Sequence, residues 1–150
     1  MTTEDAPDAA TVTAYILGAF DDVDVVTSGG GTFFSCNAET HWPNFATLVT
    51  TDEFDEASDL SREGTFRLNM GVRPATFKSL VGEDRERDFT AFDRILPHPV
   101  YAQQRWICIV NPSAATFETV VKPLLAEAHE IVSTREARKR DAQRRSQATA

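Results

Sequence analysis

The chain has 150 residues, 41% of them hydrophobic, and a net charge of −8 at pH 7. That length suits one domain with a real core. No apolar run nears the ~20 residues a membrane helix needs, and the acidic start MTTEDAPDAA is unlike a secretory signal, so the cytoplasm is the expected compartment.

The charge is uneven. Residues 135–150 hold six basic side chains against two acidic ones, +4, which leaves −12 for residues 1–134. An acidic body repels phosphate backbones and argues against nucleic-acid binding by the domain. Only the basic tail could make such contacts. Its cations also complement the negative end of a helix dipole. The expected division is a disordered start over residues 1–8, one domain over 9–134, and a tail over 135–150 that is partly helical or disordered.

In chain order, Asp8 can cap a helix over Ala9–Phe20, with Val12, Tyr15, Ile16, Ala19 and Phe20 on one apolar face. Val23–Ser28 and Thr32–Cys36 read as strands joined at Gly29-Gly30-Gly31. Because β-type sequence follows the glycines, they mark a hairpin turn and not a phosphate loop. Asn37–Asn44 is a loop carrying His41, Trp42 and Pro43; Trp42 either lines a pocket or packs over the sheet edge. Phe45–Thr51 is a strand with Phe45, Thr47, Val49 and Thr51 on one face. Asp52–Asp59 (DEFDEASD) fails the calcium-loop pattern, since Phe54 and Ala57 stand where an oxygen ligand and a glycine are needed, and reads as a solvated acidic loop.

Thr65–Val72 alternates. Phe66, Leu68, Met70 and Val72 face the core, and Arg67 and Asn69 stand side by side on the other face. Pro74–Val81 is a short helix with Thr76, Phe77, Leu80 and Val81 inward, closed by Gly82. A charged loop, Glu83–Asp88, leads to a short helical segment near Thr90–Ile95, where Phe92 and Ile95 point inward and Asp93 faces the side of His98. In Pro97-His98-Pro99 the prolines hold His98 extended. A histidine held there is either functional or a turn residue bonded to backbone.

Trp106–Val110 is apolar without alternation, the mark of a strand covered on both faces. Asn111 or Ser113 then caps the last helix, which starts near Pro112. Phe117, Val120, Val121, Leu124, Leu125, Ala128, Ile131 and Val132 form its stripe, and His129 lies at the boundary. Pro123 should kink that helix or split it in two.

Cys36 and Cys108 sit in apolar strand-like runs, with no C-x-x-C pair and no histidine at zinc spacing. Two reduced, buried thiols are expected, and neither a metal site nor a cofactor.

These elements predict an α+β fold: a mainly antiparallel sheet of about five strands, packed by N- and C-terminal helices. Phe45-Ala46-Thr47, Phe66-Arg67-Leu68-Asn69 with Gly71-Val72, Pro97-His98-Pro99-Val100-Tyr101, Trp106 and Asn111-Pro112 together resemble an uncharacterised bacterial domain family of unknown function, over roughly Val12–Glu130. More distantly, the layout is similar to the MmcQ/YjbR family, an α+β sheet with terminal helices. The closer resemblance implies the fold and no activity. Members of the wider family are often labelled DNA-binding, and the acidic body of this chain departs from what that requires.

Three functional readings follow. In the first, the chain is a binding or protein-interaction module, with Arg67, Asn69, Trp106 and Trp42 as ligand-binding candidates near the His98 loop. Its partner would be a small molecule, a protein or a second copy of the chain, and not a membrane. In the second, it is a small cofactor-independent enzyme with His98 as general acid or base, Asp93 or Tyr101 orienting it, and Arg67 and Asn69 stabilising negative charge. No G-x-S-x-G or H-E-x-x-H motif supports that reading. In the third, the tail touches nucleic acid.

Overall fold

The structure is a computed structural model and describes residues 6–82 and 87–148. The chain runs α1 (Ala9–Ala19), β1 (Asp24–Ser28), β2 (Gly31–Ser35), β3 (Asn44–Val49), β4 (Arg67–Gly71), α2 (Pro74–Val81), β5 (Leu96–Pro97), β6 (Trp106–Val110), α3 (Ala114–Thr116) and α4 (Lys122–Ala148). The strands form one antiparallel sheet in the order β1-β2-β3-β4-β6-β5. The fold is therefore α+β, with helices at both ends of the chain. The sixth strand, β5, is a two-residue edge beside β6, a place where Pro97 costs no ladder donor.

Local chemistry explains the elements. Asp8 accepts from the Thr11 N–H at 2.8 Å and starts α1. Gly29 and Gly30 both have positive φ (56° and 81°), the two-residue turn that matches strand twist, and a Cβ on Gly30 would meet Thr51 at 2.6 Å. Ser113 caps α3 through Thr116 N–H at 3.1 Å. Asn111 serves otherwise: its Oδ1 accepts from Phe66 N–H at 2.9 Å and its Nδ2 donates to the Gly64 carbonyl at 2.9 Å, which ties β6 to the start of β4.

Pairing fixes the two faces. Phe34, Ala46, Leu48, Leu68, Met70, Ile107 and Ile109 point to one side and are at most 2% exposed. Val12 and Ile16 of α1, Phe117 and Val121, and Leu125, Ala128 and Val132 of α4 cover them. Arg67, Asn69, Thr47, Val49, Phe33, Trp106 and Cys108 point to the other side. So β6 is covered on both faces, as its unbroken apolar run required.

Several expectations need correction. A bulge between β2 and β3 near Phe34/Ser35 shifts the alternation, and Phe45 joins the helix-side core, away from Thr47 and Val49. Thr90–Ile95 is not helical: Phe92 is half-exposed and makes a single bridge to Val110. In α2, Phe77 and Val81 only partly pack, Leu80 is exposed, and Thr76 turns its hydroxyl to Glu127 Oε1 at 2.9 Å. Pro123 neither ends nor splits the last helix. A π-helical turn over Phe117–Val121 joins α3 to α4, and this wider turn makes room for a ring that would otherwise strike the carbonyl one turn back. The basic tail continues α4 as a helix to Ala148, exposed from Ala137 onward. The expected disorder at residues 1–5 and the loop at 83–86 lie outside the described residues.

Candidate functional site

The second face of the sheet is hollow. β2, β3, β4 and β6 make a floor, and three loops rise around it: Trp42-Pro43, the segment around Phe54–Ser58, and His98–Gln104. They enclose a cavity of about 530 Å³ reached by Arg67, Asn69, His98, Tyr101, Trp106 and Trp42, with Phe33, Asn44 and Phe54 beside them. The six come from four separate stretches of sequence. Gly71 helps to shape the floor, because a Cβ there would meet the Trp106 indole at 3.0 Å.

Arg67 is 1% exposed, so its guanidinium must find partners inside. Nη1 and Nη2 donate to the two carboxylate oxygens of Asp55 at 2.9 and 2.6 Å, Nη1 also to Ser58 Oγ at 3.0 Å, and Nε to Asn69 Oδ1 at 2.9 Å. Asn69 passes the chain on, its Nδ2 donating to Thr47 Oγ1 at 2.9 Å. Hydrogen bonding from Arg67 holds the Asp55 carboxyl below its ordinary 3.8, against the opposing effect of burial. The DEFDEASD loop is thus not simply solvated. Asp52 Oδ1 fastens it by accepting from Leu60 N–H at 2.8 Å, Ser58 is fully buried, and Phe54 meets Phe33 edge-to-face at 5.8 Å.

His98 is held by backbone and also lines the cavity. Its own N–H donates to the Trp106 carbonyl at 2.9 Å, while its Nδ1 accepts from the N–H groups of Val100 and Tyr101, both at 3.0 Å. An Nδ1 with two donors cannot carry a proton, so the neutral ring carries it on Nε2. Burial, with the Arg67 charge adding to it, lowers the pKa of His98 to about 4. The ring is therefore a fixed hydrogen-bond donor near neutral pH and not a proton acceptor. Tyr101 orients it through its backbone N–H and lays its ring 5.0 Å from the imidazole.

Asp93 stands apart from this group. Its Oδ1 accepts from the Ser113 N–H at 2.8 Å, at the start of the last helix, and it does not line the cavity. His41 also lies outside, with Nδ1 2.7 Å from Asp24 Oδ2. Cys108 shares this face of the sheet but does not line the cavity; burial pushes it up to about 12, which leaves it a thiol and no nucleophile. Sequence reasoning missed Asp55, Ser58 and Asn44. The signal for Asp55 was present: an arginine on a covered strand face needs a carboxylate, and the nearest acidic run supplies it. The Asn44 Oδ1 is buried without a partner.

A second hollow, a wide-open groove between α1 and the β1–β2 turn, is walled by alanines, threonines, glycines and Leu17. It presents no charged or titratable group. Among the described residues no helix is long and apolar enough to cross a membrane.

No curated protein and no solved structure matches the chain. The model of a family of unknown function, DUF6194, matches residues 7–141, a span that contains the whole sheet, the cavity and most of α4, and the chain belongs to that family.

Proposed function

We propose that the chain is a small-ligand-binding module whose site is the cavity over the loop-covered face of the sheet. The observation that carries this reading is the composition of the cavity wall. An apolar and aromatic lining surrounds a few polar groups that are already held in place, and 530 Å³ lies within the range of small-molecule sites. The guanidinium of Arg67 is neutralised by Asp55, so the floor has little net charge to offer an anion. The ligand class that fits is neutral and flat, able to stack on Trp106 and Tyr101 and to present an acceptor to the Nε2–H of His98. Catalysis by His98 as general base is disfavoured by the two donors on Nδ1. A donor role, polarising a carbonyl, is what remains of the enzyme reading.

The neutral fluorophore N-phenyl-1-naphthylamine tests this reading. Saturable 1:1 enhancement is expected, with Trp106→Ala weakening it at least several-fold and Leu17→Ser, on the far helix, leaving it unchanged. Enhancement that is equal in the wild type and Trp106→Ala rejects the site.

A second reading has its own observation. Trp42, Phe54, Val100 and Tyr101 at the cavity rim are 48–66% exposed, a cluster of large apolar groups that a protein partner or second copy would cover. Light scattering across a concentration series distinguishes self-association, which Trp42→Ser and Val100→Ser would abolish. We place the module in the cytoplasm, and we take the likeness to the MmcQ/YjbR layout as one of element order. The antiparallel sheet with helices at both chain ends supports that likeness.

A further inference from the structure

On the helix-covered side, away from the cavity, three metal-ligating side chains converge from separate elements. Asp22 comes from the turn after α1, Cys36 from the residue following β2, and His129 from α4. Their donor atoms all lie within 4.8 Å of one another. We propose that these three residues form a binding site for a zinc-class transition-metal ion, independent of the cavity and its ligand.

The donor set decides the class of ion. Thiolate, imidazole and a single carboxylate suit zinc and its neighbours, whereas magnesium and calcium call for oxygen alone. Geometry agrees. A tetrahedral ion with bonds of about 2.0–2.3 Å holds its donors roughly 3.3–3.8 Å apart. Here the Asp22 Oδ1 to His129 Nε2 distance is 2.5 Å and no pair exceeds 4.8 Å, so shifts of about an ångström or less reach that arrangement.

The surroundings orient the ligands. Ser133 Oγ donates to Asp22 Oδ2 at 2.7 Å and leaves Oδ1 for the ion. The His129 ring is stacked on Phe20 at 4.2 Å and met edge-on by Phe45 at 5.3 Å, which fixes its plane. Such outer contacts are what set ligand direction in metal sites. The side chain of Asp22 is 38% exposed, so an ion has a way in and a fourth position open to water.

On binding, Cys36 loses its thiol proton to solvent and bonds as thiolate. His129 bonds as neutral imidazole through Nε2: the Nε2 proton that Asp22 accepts in the metal-free state passes to solvent, and the remaining ring proton sits on Nδ1, taken up from solvent where that nitrogen was bare. The Asp22–His129 hydrogen bond is exchanged for two bonds to the metal. No oxidant or reductant is involved. The metal-free alternative is an Asp22–His129 pair to which the Cys36 thiol donates a hydrogen bond, and the state of the sulfur is where the two interpretations part.

The full-length chain is titrated with Co²⁺ and then Zn²⁺. Expected are a 1:1 complex, a thiolate-to-cobalt charge-transfer band, displacement of Co²⁺ by Zn²⁺, and a thermal midpoint raised by Zn²⁺ and restored by chelator. Cys36→Ser should erase the band. His129→Gln, Asp22→Asn and Ser133→Ala should each weaken Zn²⁺ by about 10-fold or more. Because substitutions at buried positions can unfold the chain, X-ray absorption of the Zn²⁺-loaded wild type gives an independent answer: one sulfur scatterer with nitrogen and oxygen is expected. No saturable binding, a shell without sulfur, or a folded Cys36→Ser chain that binds Zn²⁺ like the wild type would each overturn the proposal.

Discussion

The two faces of the sheet are built by opposite rules. On the helix side, Phe34, Leu68, Met70, Ile107 and Ile109 are sealed among apolar neighbours under α1 and the last helix. On the loop side, strands of the same register present Arg67, Asn69 and Thr47, tied to one another and to a loop by hydrogen bonds, beneath an open volume. Burial alone does not separate them, since Arg67 is as inaccessible as Leu68. What separates them is replaceability. Apolar packing tolerates any neighbour of the right shape, while a buried guanidinium tolerates only a complete set of acceptors. A face that carries such a demanding network and still leaves space above it is organised around that space.

Truncating each face separately sharpens the contrast. Phe34→Ala should cost about 3–5 kcal/mol in a denaturant melt, through lost transfer energy plus the void left under α1. Asp55→Ala should cost about as much, roughly 3–5 kcal/mol, for a different reason: it strands the Arg67 charge. The reasons are told apart by the second change. Adding Arg67→Met to Asp55→Leu should restore most of the stability, because removing both charges also removes the desolvation cost. No partner change rescues Phe34→Ala in that way. If the double variant is as unstable as Asp55→Ala, the ion pair does more than satisfy itself.

This asymmetry also explains what could be read from the residues beforehand. The helix side follows from periodicity: the alternation of Phe66 to Val72 and the stripe from Phe117 to Val132 each state which residues go in. Arg67 and Asn69 could be placed on the other face by the same period of two. Their partners could not. Asp55 sits in a loop of five acids with no period, and only the buried arginine selects it. Phe45 alone departs from the period of two, because it is the residue skipped where the register shifts between Phe34 and Ser35, while Thr47 and Val49 keep their face. Asp93 was misplaced because a non-helical bend with φ near 60° turns it toward Ser113. Cys36 and His129 meet through the packing of α4, and spacing along the chain carries no trace of that.

A smaller effect comes from pH. The proton affinity of His98 falls from 6.5 to about 4 on folding, so between those values the unfolded chain binds one more proton than the folded one. Stability is therefore fully present above about pH 6.5 and declines as pH falls toward 4, by roughly 3 kcal/mol in total. Asp55 works in the same sense at lower pH. Its folded pKa lies below 3.8, so its contribution is present above that value and is lost as pH drops through the folded one. Urea melts from pH 7 to 4 should show the first decline, and His98→Gln should flatten it. A wild-type curve already flat in that window would mean that Nδ1 accepts a proton and that the two backbone donors let go.

The smallest expected effect isolates one hydrogen bond. Thr47→Val keeps the shape of the side chain and removes the oxygen that accepts from Asn69 Nδ2. A buried amide proton left without a partner costs about 1–3 kcal/mol. On the helix side, the nearly volume-conserving change at the next residue, Leu48→Met, should cost less than about 1.5 kcal/mol, because its apolar neighbours respond to shape and volume and not to a particular atom. The informative comparison is Thr47→Val with Thr47→Val/Asn69→Leu. If the loop side is a linked network, the double change frees Arg67 Nε from its acceptor and is worse than the single one. If Asn69 serves Thr47 alone, the double change recovers the loss. The chain from Thr47 through Asn69 and Arg67 to Asp55 predicts the former, with an interaction energy between the two sites measurable in a double-mutant cycle.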